Sequence, residues 1–85
     1  MNELALADAD HQVVIEVVAG QLAIDPSQII PEARIMEDLG ADSLDVVEIG
    51  MKLEERLNIS IPETALERSA TVAGLCETVA NLRGG

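Results

Sequence analysis

Ser43 is the residue whose type and setting together suggest chemistry. It stands in the string Glu37-Asp38-Leu39-Gly40-Ala41-Asp42-Ser43-Leu44-Asp45, at what reads as a helix start. Asp42 is placed to cap that helix, and Asp45 adds a second carboxylate to its first turn. Gly40 supplies a turn that a side chain would hinder. A hydroxyl with no base beside it is a poor catalytic nucleophile, and the chain has one histidine, His11, no Cys/His pair and no glycine-rich phosphate cradle. The serine therefore reads as a substrate for modification, and no catalytic residues are expected. A helix N-terminus favours a phosphate product through its free N–H groups and its dipole. Asp42 and Asp45 oppose that phosphate electrostatically, so their benefit lies in capping or in meeting a basic modifying enzyme. Read alone, Ser43 is as readily an ordinary first or capping residue of a helix.

The helix that must position it runs to about Leu57 and has two apolar stripes. At about 100° per residue, Val46, Ile49, Leu53 and Leu57 share one face, with Gly50 among them. Leu44, Val47 and Met51 share roughly the opposite face. A small bundle buries one face per helix, so the first stripe is expected in the core and the second partly exposed. Asp45, Glu48 and Glu55 border the second stripe on one side and Glu54 on the other. Seven acids against one base, Lys52, lie between Glu37 and Glu55. An apolar strip with an acidic border suits a basic protein partner.

These residues carry a resemblance. GADSLD, preceded by EDL and followed by VVEIGMKLEE, resembles the modification site and recognition helix of acyl carrier proteins, most closely the stand-alone kind of bacterial fatty acid synthesis. The similarity runs from about Val14 to Leu82. It implies one acyl carrier domain over residues 1–85, folded as a small all-α bundle. It also implies that Ser43 carries 4′-phosphopantetheine, moved from coenzyme A by a phosphopantetheinyl transferase, with acyl groups held as thioesters on the arm. Asp42, Leu44, Asp45, Val47, Glu48, Met51, Glu54 and Glu55 would be read by partners, namely the transferase, acyltransferases, ketosynthases or other acyl-processing enzymes with basic surfaces. Val46, Ile49, Gly50 and Leu53 would line the interior that shelters the acyl chain. Gly50 stands where a bulkier apolar residue is more usual in that family, which leaves either a local void or a tighter helix contact. Ser69 stands where an apolar residue is common, Leu57 where phenylalanine is frequent, and the stretch Glu63–Ser69 is less acidic than usual. These departures leave room for a dedicated polyketide or aminoacyl carrier. An unmodified acidic interaction module is the alternative of a different class.

Composition agrees with a single small domain. Eighty-five residues, 48% of them apolar and none aromatic, must build a core from aliphatics and methionine. A formal charge of −11 argues against nucleic acid or an anionic membrane as partner. One cysteine, Cys76, forms no internal disulfide; on the apolar side of the last helix it reads as a buried small hydrophobe. His11 reads as a solvated side chain, and no metal site is expected. No secretory signal or membrane-spanning run is apparent, so a monomer in the bacterial cytoplasm is expected.

In chain order, Asp8 or Asp10 is expected to cap a first helix ending near Leu22 or Ala23, with Val14, Val17, Val18 and Leu22 on its apolar stripe. Asp25-Pro26-Ser27-Gln28 reads as a capped single turn. Ile29, Ile30, Ile35 and Met36 are expected to pin a long connection over the bundle. Asn58 suits a left-handed helix end, Ile59-Ser60-Ile61 an extended connector, and Pro62 the opening of a short helix to about Glu67. Thr71 caps the last helix, which buries Val72, Leu75, Cys76, Val79 and Leu82 on one side and ends at Arg83 with Gly84-Gly85. The expectation is all-α, three main helices plus one short one, with a long loop between helices 1 and 2. Such dense negative charge repels itself in the folded state. The melting temperature should therefore rise with added NaCl and further with millimolar Mg²⁺; indifference to both would contradict this.

Overall fold

The computed structural model describes the backbone of residues 2–84 and the side chains of residues 10–84. Helix α1 spans Asn2–Leu22, α2 Ser43–Leu57, α3 Glu63–Arg68 and α4 Val72–Gly84, with a 3₁₀ turn at Pro26–Gln28 in the long connection between α1 and α2. The expected all-α bundle of three main helices and one short one is what forms. Met1, Gly85 and the side chain of Asp8 lie outside the described residues.

The first helix begins earlier than expected. Neither Asp8 nor Asp10 caps it, because α1 already runs through both positions. Glu3-Leu4-Ala5-Leu6-Ala7 is built from strong helix formers, and these extend the helix past the capping candidates. Asp10 instead accepts a hydrogen bond from Arg83 Nε at 3.1 Å, tying α1 to the end of α4.

α1 packs against both α2 and α4, while α3 bridges α2 and α4. The core is wholly aliphatic: Val14, Val17 and Val18 from α1, Ile49, Leu53 and Leu57 from α2, and Val72, Leu75 and Val79 from α4. The β-branched residues of α1 are weak helix formers in isolation; burial of their stripe is what makes the helix stable. Four expected core members fall short: Leu22 and Val46 are only partly buried. Leu82 is exposed near the end of α4, where the bundle tapers, and Cys76 is only half-buried.

The long connection is held by both its backbone and its side chains. Asp25 caps the 3₁₀ turn, accepting from the Ser27 N–H at 2.9 Å and the Ser27 hydroxyl at 2.8 Å. Of the four apolar residues expected to pin the loop, Ile29 and Ile35 are buried, but Ile30 and Met36 are about half exposed. Ala33 and Ala41 take their place in the core. A further restraint is a set of backbone bonds to the α3–α4 junction. Ile35 N–H donates to the Ala70 carbonyl at 2.9 Å, Val72 N–H to Ala33 at 3.0 Å and Ala73 N–H to Pro31 at 2.9 Å. The loop thereby satisfies its own polar groups and is led to the start of α2.

At the far end of α2, Asn58 takes the left-handed conformation at φ 55°. The Glu54 carboxylate accepts from Ile61 N–H at 2.7 Å, and Arg83 donates to the Leu57 carbonyl at 3.1 Å. These contacts fix the connector to α3. They leave α2 with one stripe in the core and the other in water, which mutation can separate. Leu53→Ala should cost about 2–5 kcal/mol through transfer and cavity terms, whereas Met51→Ala should stay within about 0.5 kcal/mol. Urea denaturation midpoints of the two variants check this; equal losses would contradict the assignment of faces.

Candidate functional site

The start of α2 is built by three neighbours. Gly40 takes φ +82°, the left-handed turn that favours a residue without a side chain. Asp42 then adopts an extended conformation as N-cap. Its carboxylate accepts from Asp45 N–H at 2.8 Å, and the Asp45 carboxylate accepts from Asp42 N–H at 3.1 Å, a reciprocal capping box. Ser43 is the first residue of the helix and is exposed to solvent. The other three serines are placed differently. Ser27 is engaged with Asp25, Ser60 lies in the connector before α3, and Ser69 is buried with its hydroxyl donated to the Ala65 carbonyl at 2.8 Å.

The acids around α2 divide by what they touch. Gln21, near the end of α1, donates from Nε2 to Asp45 at 3.0 Å and to Glu48 at 2.8 Å. Its Oε1 accepts from Lys52 Nζ at 2.7 Å. One amide thus holds two of the acids and Lys52 in register. The Gln21 amide, followed by the Asp42 N–H, holds the Asp45 carboxyl below the usual carboxylate range. Glu54 is committed to Ile61 N–H on the opposite border, while Asp42 and Glu55 stand exposed. Between them Leu44, Val47 and Met51 are exposed by 64%, 44% and 59%.

Beneath this surface the second candidate set separates. Ile49, Gly50 and Leu53 are buried and Val46 is half-buried. A cleft of about 170 Å³ opens between the long connection, α2 and α3; Ile35, Met36, Val46, Leu66 and Ser69 are among its walls. At Gly50 the structure has a tight contact and no void. A methyl group built there would lie 2.8 Å from Leu66 Cδ2. Elsewhere, burial pushes the Cys76 thiol up to about 11, so it is a protonated, unreactive group at neutral pH. Among the described residues no cluster of His, Cys, Asp and Glu could hold a metal, and no helix is long and apolar enough to cross a membrane.

Gln21 and Leu66 were not visible as site residues in the sequence. The contacts that matter for them join helices far apart in the chain, and neither residue type stands out at its position. Ser43 was visible as a hydroxyl at a helix start, and the structure adds that it is exposed to solvent.

The bundle thus exposes Ser43 beside a face that is both apolar and acidic. A family model described as the phosphopantetheine attachment site matches residues 12–79. The chain is 45% identical over 69 residues to an acyl carrier protein of Campylobacter curvus, covering 81% of this chain and 90% of that one. It is 54% identical over 57 residues to an acyl carrier protein of Wolinella succinogenes, covering 67% and 75%. It is 48% identical over 63 residues to one of Helicobacter pylori, covering 74% and 81%. The chain belongs to the acyl carrier protein family, a non-catalytic carrier whose covalent cofactor is 4′-phosphopantetheine.

The lowered Asp45 value gives a pH signature. A carboxyl depressed in the folded state contributes stability above its unfolded value, about 3.9, and loses it as pH falls through the lower folded value. Asp45→Asn should melt below the wild type at neutral pH. The gap should close as the solution is acidified below about pH 3.9. A gap that persists at acid pH would show that the capping box does not depend on the charge.

Proposed function

We propose that Ser43 is the attachment point of 4′-phosphopantetheine and that the chain, as a single carrier domain in the bacterial cytoplasm, carries acyl intermediates of fatty acid synthesis as a monomer. The observation that carries this reading is the position of Ser43, exposed as the first residue of a helix whose start is fixed by the Asp42–Asp45 box. In the attachment step the Ser43 oxygen forms the new bond to phosphorus and adenosine 3′,5′-bisphosphate leaves. The hydroxyl proton goes to a base of the transferase. Asp45, one of the two boxed carboxylates, is a weaker base than an ordinary aspartate, which supports an outside acceptor. When attached, the arm supplies the thiol that holds the acyl group as a thioester.

The chain's own residues supply address and shelter. Asp42, Asp45, Glu48 and Glu55 draw the basic surfaces of a phosphopantetheinyl transferase, acyltransferases and ketosynthases, and Leu44, Val47 and Met51 give those partners an apolar strip to close on. Glu54 contributes charge from the other border while its main task is to hold Ile61. Of the four interior residues of α2, Val46 would meet the acyl chain first, while Gly50 seats Leu66 and Ile49 and Leu53 lie buried in the core behind. The tight Gly50–Leu66 contact favours a second reading, a carrier dedicated to a polyketide or aminoacyl pathway with unusual cargo.

Incubation with coenzyme A and a broad-specificity phosphopantetheinyl transferase should add one phosphopantetheine to the wild type and none to Ser43→Ala, read by intact mass. No gain, from a folded chain that starts unmodified, would overturn the assignment and leave an unmodified acidic interaction module as the reading.

A further inference from the structure

Helix α3 is six residues long and none of them is buried. Its first turn has no side-chain cap, so it rests on the bundle through its two half-buried residues, Ala65 and Leu66. Leu66 is seated in a notch. Gly50 is buried on the facing side of α2, and a methyl group there would meet Leu66 Cδ2 at 2.8 Å, Cδ1 at 3.4 Å and Cγ at 3.7 Å. The leucine side chain fills the space that a side chain on α2 would otherwise claim.

Leu66 also divides the seam between α2 and α3. On one side lies the cleft of about 170 Å³, whose α2 wall is Val46, one turn from Ser43. On the other lies a shallower cleft of about 220 Å³ bounded by Val47, Gly50, Met51 and Ile61. Leu66 is the residue common to both linings. Arg34, Glu37 and Glu67 also line the first cleft, Arg34 and Glu37 paired with each other, and its one buried polar side chain, Ser69, is satisfied within the protein. The Ser69 hydroxyl donates to the Ala65 carbonyl and pairs with Thr78 Oγ1, both at 2.8 Å. The walls formed by Ile35, Met36, Val46 and Leu66 thus suit an apolar guest, and Val46 places them one turn from Ser43.

We propose that Leu66, seated against Gly50, is the specificity-determining residue that sets how much of a bound acyl chain is sheltered, admitting short apolar chains and stopping longer ones. The inference rests on the carrier reading above. An apolar cavity of about 150 Å³ takes a benzene-sized guest, so the first cleft holds about six carbons. Beyond that length a chain must lift Leu66 out of its notch and open the seam toward the second cleft. The contact of one half-buried leucine on an element with no buried residue is the weakest point at which the seam can part.

The test uses holo-protein loaded with butanoyl, hexanoyl, octanoyl or decanoyl groups, with hydroxylamine attack on the thioester as readout. In the wild type, attack should slow about fourfold per methylene, the equivalent of ~0.8 kcal/mol per buried methylene, as far as hexanoyl, and then level off. Leu66→Ala should move the break to octanoyl or decanoyl; Leu66→Met, of similar volume, should leave it in place. Gly50→Ala, which crowds Leu66 from the other side, should move the break toward butanoyl, and it decides the matter if circular dichroism shows Leu66→Ala unfolded. Failure of the wild type to take any acyl-phosphopantetheine would overturn the Ser43 reading itself. Successful loading with no break, or with the same break in every variant, would overturn the role of Leu66 alone.

Discussion

The structure depends on the one-sided burial of α2. Ile49 and Leu53 are almost fully enclosed, while Leu44 and Met51 on the opposite face are well over half exposed. The hydrophobic effect rewards removal of the first stripe from water, and α1, which touches both α2 and α4, provides the surface that removes it. With no aromatic residue available, the core is made of branched aliphatics, whose few rotamers suit close packing between helices. Everything that partners could read is on the side this burial leaves free.

The tip of α2 is governed by a different kind of interaction. The carboxylates of Asp42 and Asp45 are spent on each other's backbone N–H groups, which sets the helix start at Ser43 and no residue earlier or later. Gln21 then ties Asp45 and Glu48 to α1, and Glu54 holds the connector to α3. The acidic face is therefore partly a structural network. Its charge is available to a partner at long range, but several of its oxygens are already engaged. Exposed acids such as Glu55 contribute field alone. Loosely held α3, by contrast, is where the bundle has least to lose by moving.

Much of this was legible in the sequence because it rests on local rules. The helical period separated the two stripes of α2, and the Asp42 cap, the Gly40 turn, the Asn58 stop and the Asp25-Pro26 turn each follow from the conformational preference of a single residue type. The Ser43 motif was legible through its likeness to the carrier family. What escaped depends on contacts between distant segments. The start of α1 was set by propensity past Asp8 and Asp10, since two caps competed with five good helix formers. The loop was expected to be held by Ile29, Ile30, Ile35 and Met36; Ile29 and Ile35 are buried, but backbone bonds to Ala70, Val72 and Ala73 also hold it, and no apolar pattern encodes such bonds. The choice between a void and a tight contact at Gly50 required the position of Leu66, sixteen residues on.

The central claim is that this bundle exists to present Ser43. Its most direct test is peptide mapping by mass spectrometry of the protein purified from the cells that make it. The account predicts phosphopantetheine on the peptide containing Ser43, with part of the population acylated at the thiol, and Ser27, Ser60 and Ser69 unmodified. An unmodified Ser43 in growing cells, or the arm on another serine, would contradict it.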